Sequence, residues 1–377
     1  MSDALVSVGV PVYGPLPRID RTVRSVLAQS HENLEIILCD PALDQEASSL
    51  IEQLLDADPR IKVVREARRR TLIQCCAEVR SVASGTYFMW LDGGHWLDPR
   101  YLEIAGEFLD HNPAHVLAYG TTVQEDGGAD AKAVSPAPVA FEDPSRRVEA
   151  MISNLTGGEA WYAVHRREAL ADIPLHPALG FEIGWLVSAA WRGKVAAMPE
   201  MRLFRYGPPD AGDVGDRVAE LGVGNFQATD PWLATEALLF CNIAYFDQAM
   251  AQLPLTERAR LAAAAADTVA QRWRVMDESM LISFAARMFP SDAILERFRT
   301  LRTTMADAVL GLRSVSSADP VVQSLIGTIN VLCRMRIGNI PLTKEDRDIV
   351  RQIEVLWDSD QAVGSQNKVA IVSAMYL

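Results

Sequence analysis

Ser84–Glu103 reads SGTYFMWLDGGHWLDPRYLE, and its order of residue types decides the fold. Thr86–Leu91 is an unbroken apolar and aromatic run, as expected of a strand buried on both faces. It ends at Asp92, and Gly93-Gly94 marks a tight turn. Pro99 then sits where the first turn of a helix belongs; the apolar pattern runs on to His111 before Asn112-Pro113 stops it. A strand feeding a helix through a loop with a carboxylate at its mouth is one repeat of an α/β fold. Ligands of such folds bind at the carboxyl ends of the strands.

Upstream the same unit recurs. Leu5–Val12 (LVSVGVPV) is an apolar strand, and Ile19, Val23, Val26 and Leu27 then recur at helical spacing. Leu34–Leu38 is a second strand, followed by a helix through Leu50, Ile51, Leu54 and Leu55. Ile61–Val64 is a third strand, and Leu72–Ala83 a third helix. Strands alternating with helices predict a mainly parallel, Rossmann-like sheet with right-handed crossovers. Its ligand-facing rim would then carry Pro11–Tyr13, Asp40, Arg65–Arg70 and Asp92–His95.

Downstream, Gly127–Pro144 reads as a loop, and helix and strand resume through Ser145–Arg205. Gly207–Gly224, with two prolines, five glycines and three aspartates, reads as a linker. The expected organisation is an α/β domain over 1–206, a linker over 207–224 and an all-helical C-terminal domain over 225–377. Helical stretches are predicted at Pro231–Gln252, Thr256–Met288, Asp292–Leu312 and Val321–Met335. All six histidines precede residue 177, so the helical part offers no imidazole.

The 377 residues, 49% of them apolar, suffice for two packed cores. A formal charge of −13 argues against nucleic acid or an anionic membrane as a general partner. No apolar run has membrane-spanning length, and the start lacks a signal peptide's pattern. Five cysteines, Cys75 and Cys76 adjacent, match neither a disulfide framework nor a zinc spacing. The expected location is cytoplasmic, with peripheral attachment at the inner face of a membrane as a variant.

The segments VSVGVPVYG, RTVRSVLAQS, HENLEIILCD, DPRIKVVRE, SGTYFMWLDGGHWLDPRYLE and HRREAL follow one another as in inverting GT-A glycosyltransferases of family 2. The chain resembles a divergent member over roughly residues 5–206. The resemblance implies that Pro11, Val12 and Tyr13 face the nucleotide. It also implies that Asp40 accepts a hydrogen bond from the base; uracil and guanine both offer an N–H, so UDP- and GDP-sugars stay open. As a lone residue, Asp40 reads equally as a loop cap. Arg70 stands where the family has a basic or amide residue before a glycine, here Thr71. Its fork suits a diphosphate, or it belongs to a solvated basic loop.

The family's Asp-x-Asp is here Asp92-Gly93-Gly94. Asp92 and Gly93 would meet the donor, and Gly94 replaces the carboxylate that holds Mn²⁺ or Mg²⁺. The metal is then doubtful unless Asp92 and His95 hold it, and a lone histidine beside a tryptophan is otherwise structural. The family's catalytic base lies eleven residues before a helix-closing glycine. Counting back from Gly193 gives Glu182, which would deprotonate the acceptor; a first-turn glutamate favoured by the helix dipole is the plainer reading. Trp161, Gly158 and Trp96 fall where an acceptor sugar would stack, or else pack in the core.

The resemblance implies a hexosyl-type transferase in polysaccharide biosynthesis, moving sugar from a nucleotide-sugar donor to a glycan, lipid-linked or protein acceptor. The alternative is a catalytically inactive scaffold working through its helical domain, by self-association or a protein partner. Pro41, Gly94 and Glu182, all departures from the family pattern, keep that alternative open.

Overall fold

The computed structural model describes residues 3–13, 16–40, 45–65, 70–125, 132–154, 159–206 and 214–223, and scattered positions from 231 to 269. The sequence repeats become β1 (Val6–Pro11), α1 (Leu16–Leu27), β2 (Leu34–Cys39), α2 (Gln45–Ala57), β3 (Ile61–Val64), α3 (Leu72–Ser81) and β4 (Tyr87–Trp90). Then follow β5 (His95–Leu97), α4 (Tyr101–His111), β6 (His115–Glu125), β7 (Lys132–Val134), α5 (Pro144–Asn154), β8 (Val164–Arg166), α6 (Phe181–Arg192), β9 (Lys194–Tyr206) and α7 (Val214–Leu221).

One sheet runs β3-β2-β1-β4-β8-β6-β9-β5, with β7 on β6. The first four strands are parallel, β8 is antiparallel to its neighbours β4 and β6, and β6 and β9 are parallel. Alternation along β1 explains why the sheet is covered on both faces. Val6, Val8 and Val10 join a core with Ile19, Val23 and Val26 of α1, Ile51 and Leu54 of α2, and Leu102, Ala105 and Leu109 of α4. Each such buried side chain contributes roughly 1.5–3 kcal/mol. On the other face Gly9 lets α3 approach, since a Cβ there would lie 2.6 Å from Val79. Phe88, Trp90, Trp161 and Trp185 pack together on that face as well.

Thr71, where the family carries glycine, caps α3. Its hydroxyl accepts from the Gln74 amide at 3.3 Å, and the Gln74 side chain accepts from the Thr71 amide at 2.9 Å. Such a box typically adds about 1 kcal/mol.

Two expectations need correction. The stretch read as a loop contains β7, which pairs antiparallel with β6 across Thr122–Gln124. The stretch read as a linker contains α7, whose Val218 and Leu221 are buried and whose following Gly222 abuts Thr71. The proline and glycine content masked a helical spacing.

Met1–Pro177 with Phe181–Ala228 form one compact unit, and Ala178–Gly180 with Thr229–Leu377 form a second. Every element named above lies in the first. In the second, the described residues include a short 3-10 turn at Ala249–Gln252 and isolated helical positions, and among them there is no strand. The helices predicted over 270–377 lie outside the described residues.

Candidate functional site

Strand register brings the expected rim together. Pro11 of β1 pairs with Cys39 of β2, so Asp40 follows one residue beyond. Gly9 pairs with Trp90 of β4, which carries Leu91 and Asp92 out at the same end. Gly93 closes the rim: a Cβ on it would lie 2.7 Å from the Tyr13 carbonyl, so only glycine allows this approach. Tyr13 donates its hydroxyl hydrogen bond to the Arg70 carbonyl. Pro11–Tyr13, Asp40, Arg70, Asp92 and Gly93 are thus neighbours along one sheet edge. Asp40 is buried, and its Oδ2 accepts from Ser48 at 3.2 Å with Arg65 3.9 Å away. The carboxylate therefore orders the start of α2 as well as standing at the rim.

Asp92 is held by a residue that sequence reasoning missed. Tyr162, in the 3-10 turn Glu159–Tyr162 before β8, donates to Asp92 Oδ2 at 2.8 Å. Burial, reinforced by the Asp92 charge, pushes the phenol well above its ordinary pKa, so it stays a donor. The loop beyond is pinned by Thr22 of α1. Its hydroxyl accepts from the Gly94 amide at 3.1 Å and donates to the His95 carbonyl at 2.7 Å.

Glu182 sits in the first turn of α6, as expected, with its side chain 18% exposed. Burial raises its pKa above the ordinary glutamate value; Arg217 opposes that shift, and the Asp92 charge adds to it. Arg217, from α7, is the second missed residue. Its Nη2 donates to Glu182 Oε1 at 2.5 Å, and Nη1 lies 3.7 Å from Glu220 Oε2. Val214, Val218 and Leu221 at i, i+4 and i+7 were the signal for this helix. Asp92, Tyr162, Glu182 and Arg217 form one polar cluster at the carboxyl end of the sheet, mutually coupled by charge.

Other expected site residues are engaged in packing. Arg70 does not present an open fork. It is 6% exposed, its guanidinium reaches Cys39 Sγ at 3.8 Å and Glu78 at 3.5 Å, and it braces β2 against α3. Trp161 is 2% exposed and stacks on Trp90 with centroids 4.1 Å apart, its edge contacts being Phe181 and Trp185. It is core, not an acceptor platform, because β8 follows it directly and turns it inward. Trp96 is buried, with the Arg21 guanidinium 3.3 Å from its ring centroid and the ring of Phe204 stacked with centroids 5.7 Å apart. Gly158 lies outside the described residues.

The metal expectation is tested by the donor set itself. Gly94 has φ +103°, which an aspartate adopts only with strain, and a Cβ on it would point at Arg18 Cδ 3.5 Å away. His95 is 7% exposed, and among the described residues no group stands in good hydrogen-bond geometry to either ring nitrogen. The ring lies 4.3 Å, centroid to centroid, from Tyr162, and burial pushes its pKa down to about 4 against the opposing pull of Asp92. Neutral imidazole can ligate, yet Arg205 and Arg217 also bear on it with positive charge. Among the described residues no three His, Cys, Asp or Glu side chains are grouped to hold an ion. Mg²⁺ and Mn²⁺ prefer octahedral oxygen sites. The described residues around Asp92 do not fit one.

The glycosyl transferase family 2 model matches residues 7–173. The chain is 32% identical over 117 residues to an uncharacterized protein of Sinorhizobium fredii, covering 30% of this chain and 13% of that one. It is 29% identical over 133 residues to the putative glycosyltransferase EpsE of Bacillus subtilis, covering 35% of this chain and 48% of that one. It is 30% identical over 125 residues to the chondroitin synthase of Pasteurella multocida, covering 33% and 13%. The matched region thus spans less than half the length of each of these relatives. Among solved structures, TarS 1–349 of S. aureus in complex with UDP-GlcNAc superposes with a TM-score of 0.54 at 12% identity, covering 94% of this chain and 91% of that one. That likeness concerns the fold alone. Strand order and rim agree with the family match: residues 7–173 resemble family 2 glycosyltransferases, on a fold of the GT-A kind.

Proposed function

We propose that the chain transfers a hexosyl-type sugar from a UDP- or GDP-sugar to a hydroxyl of a glycan, lipid-linked or protein acceptor, with inversion at the anomeric carbon. The observation that carries this reading is Glu182, a half-buried carboxylate of raised proton affinity in the first turn of α6, coupled to Asp92 at the sheet rim. In the reaction the acceptor oxygen forms the new bond to the anomeric carbon while its proton passes to Glu182. The bond from that carbon to the donor phosphate breaks, and its electron pair leaves with the nucleoside diphosphate. Pro11–Tyr13, Asp40 and Gly93 line the nucleoside end in this reading. Asp92, oriented by Tyr162, meets the ribose.

Among the described residues no helix is long and apolar enough to cross a membrane. Cys39, Cys75 and Cys76 are free and buried, which supports a reducing, cytoplasmic compartment. In the same reading the 225–377 segment serves acceptor or partner recognition, and a role in polysaccharide synthesis follows.

The test is thermal stability of the full chain with UDP, GDP, CMP and the UDP- and GDP-sugars. A donor at a concentration near 100 Kd adds about 2.7 kcal/mol. Stabilisation by one base family identifies the donor. No stabilisation by any nucleotide refutes the reading and leaves the non-catalytic scaffold.

A further inference from the structure

If the chain handles a nucleoside diphosphate, the reaction leaves a charge problem. The departing diphosphate gains negative charge in the transition state, and losing one preorganised stabiliser there typically costs ~10²–10³ in rate. The donor set around Asp92 and His95 does not suit a divalent ion, so the compensating charge must come from the chain.

Two arginines stand where it is needed. Gly94 occupies the position of the family's second carboxylate, and the direction its side chain would take is filled by Arg18, an exposed α1 residue whose guanidinium also lies 4.3 Å from the Tyr206 ring centroid. Inward of it, Arg217 is paired with Glu182 and its charge acts on Asp92 and Tyr162. A donor whose ribose meets Asp92 and whose anomeric carbon faces Glu182 must lay its diphosphate between those two carboxylates. The Arg217 charge acts on both. Its side chain is 34% exposed, so it is open to a ligand, and a guanidinium carries five N–H donors in a fork matched to phosphate oxygens.

We propose that Arg217 of α7, with Arg18 at the mouth, takes the place of the divalent ion on the donor diphosphate. This rests on the glycosyltransferase reading above and adds to it a metal-independent mode of diphosphate binding. Arg217 then has two tasks. It holds Glu182 ionised in a half-buried setting, and it shares its remaining donors with the leaving group.

The experiment is calorimetric titration of the full chain with UDP and uridine, and with GDP and guanosine, each in EDTA and in Mn²⁺. Wild-type affinity for the diphosphate should change less than about twofold between the two conditions. Arg217→Ala should weaken the diphosphate at least about tenfold while leaving the bare nucleoside unchanged. Arg217→Lys should recover part of the loss, and Arg18→Ala should show a smaller, equally selective one. Diphosphate binding that needs Mn²⁺ in the wild type overturns the proposal whatever the variants do, and leaves the glycosyltransferase reading intact. Equal loss of nucleoside and diphosphate in a folded Arg18→Ala and Arg217→Lys also overturns it. Binding of neither nucleotide nor nucleoside under either condition removes the reading on which it stands.

Discussion

At the amino end of the parallel strands, Glu35 of β2 is buried among donors. Ser7 donates at 2.6 Å, the Ser84 amide and hydroxyl at 2.7 and 2.9 Å, and Lys62 at 2.5 Å. Burial works to raise its pKa, but the hydrogen bonds from Lys62, Ser7 and Ser84 win and bring it down to about 2. At the carboxyl end, Glu182 is half-buried and faces mainly one guanidinium, and there the loss of solvation wins and its pKa rises. A carboxylate whose lone pairs are saturated by protein donors cannot take a proton at working pH. It ties β1, β2, β3 and the start of β4 together. One left with a single cation retains the proton affinity a base requires.

The sharpest break of that comparison is Glu182→Gln. It should lower the transfer rate about 10²–10⁴-fold while donor affinity measured by titration stays nearly unchanged, because a base acts on the acceptor's proton. Full transfer by that variant would remove Glu182 as the base.

Glu35→Gln should do the opposite. The lowered pKa corresponds to roughly 3 kcal/mol of stability at neutral pH, which for a unit of this size is about 6–12 °C in Tm. Because the folded pKa lies below the unfolded one, that stability is complete above about pH 4.5 and is lost as pH falls toward 2. A wild-type unfolding series across that window, compared with the variant, should show the two curves converging at the acid end. Donor affinity lost without any change in Tm would contradict the structural role.

Tyr162→Phe tests the rim itself. It removes one hydrogen bond to an ionised group, so donor affinity should fall about tenfold with little change in melting temperature. If melting drops instead and affinity holds, Tyr162 is a packing residue.

The smallest effect is on pH dependence. As the proposed base Glu182 must be ionised, so kcat/KM should fall as pH drops through its raised pKa, with an acid limb above the ordinary glutamate range. Arg217 opposes the shift, so Arg217→Ala should move that limb further up. A limb at the ordinary value would mean the carboxylate is solvated in the working enzyme.

Taken alone, the sequence determined the first four strands and helices α1 to α4. Ile61–Val64 was read with the limits the structure shows, and the spacing of Ile19, Val23 and Val26 named the buried face of α1. Local periodicity suffices there because each strand and helix is long enough to state its own pattern. It also placed Asp40 and Asp92 at the carboxyl ends of strands, whereas Glu182 came from the family resemblance, by the count back from Gly193. What it missed depends on contacts between distant segments. Trp161 and a surface tryptophan look alike in sequence, and only packing against Trp90, 71 positions earlier, makes it core. Arg70 looked like an exposed fork until burial against Cys39 and Glu78 set it to bracing. Arg217 lay in a stretch whose prolines and glycines spoke for a linker, and its charge acquires meaning through Glu182, 35 residues away. Burial and electrostatic partnership are properties of the folded neighbourhood, so tertiary structure alone decided which carboxylate is locked and which keeps its affinity for a proton.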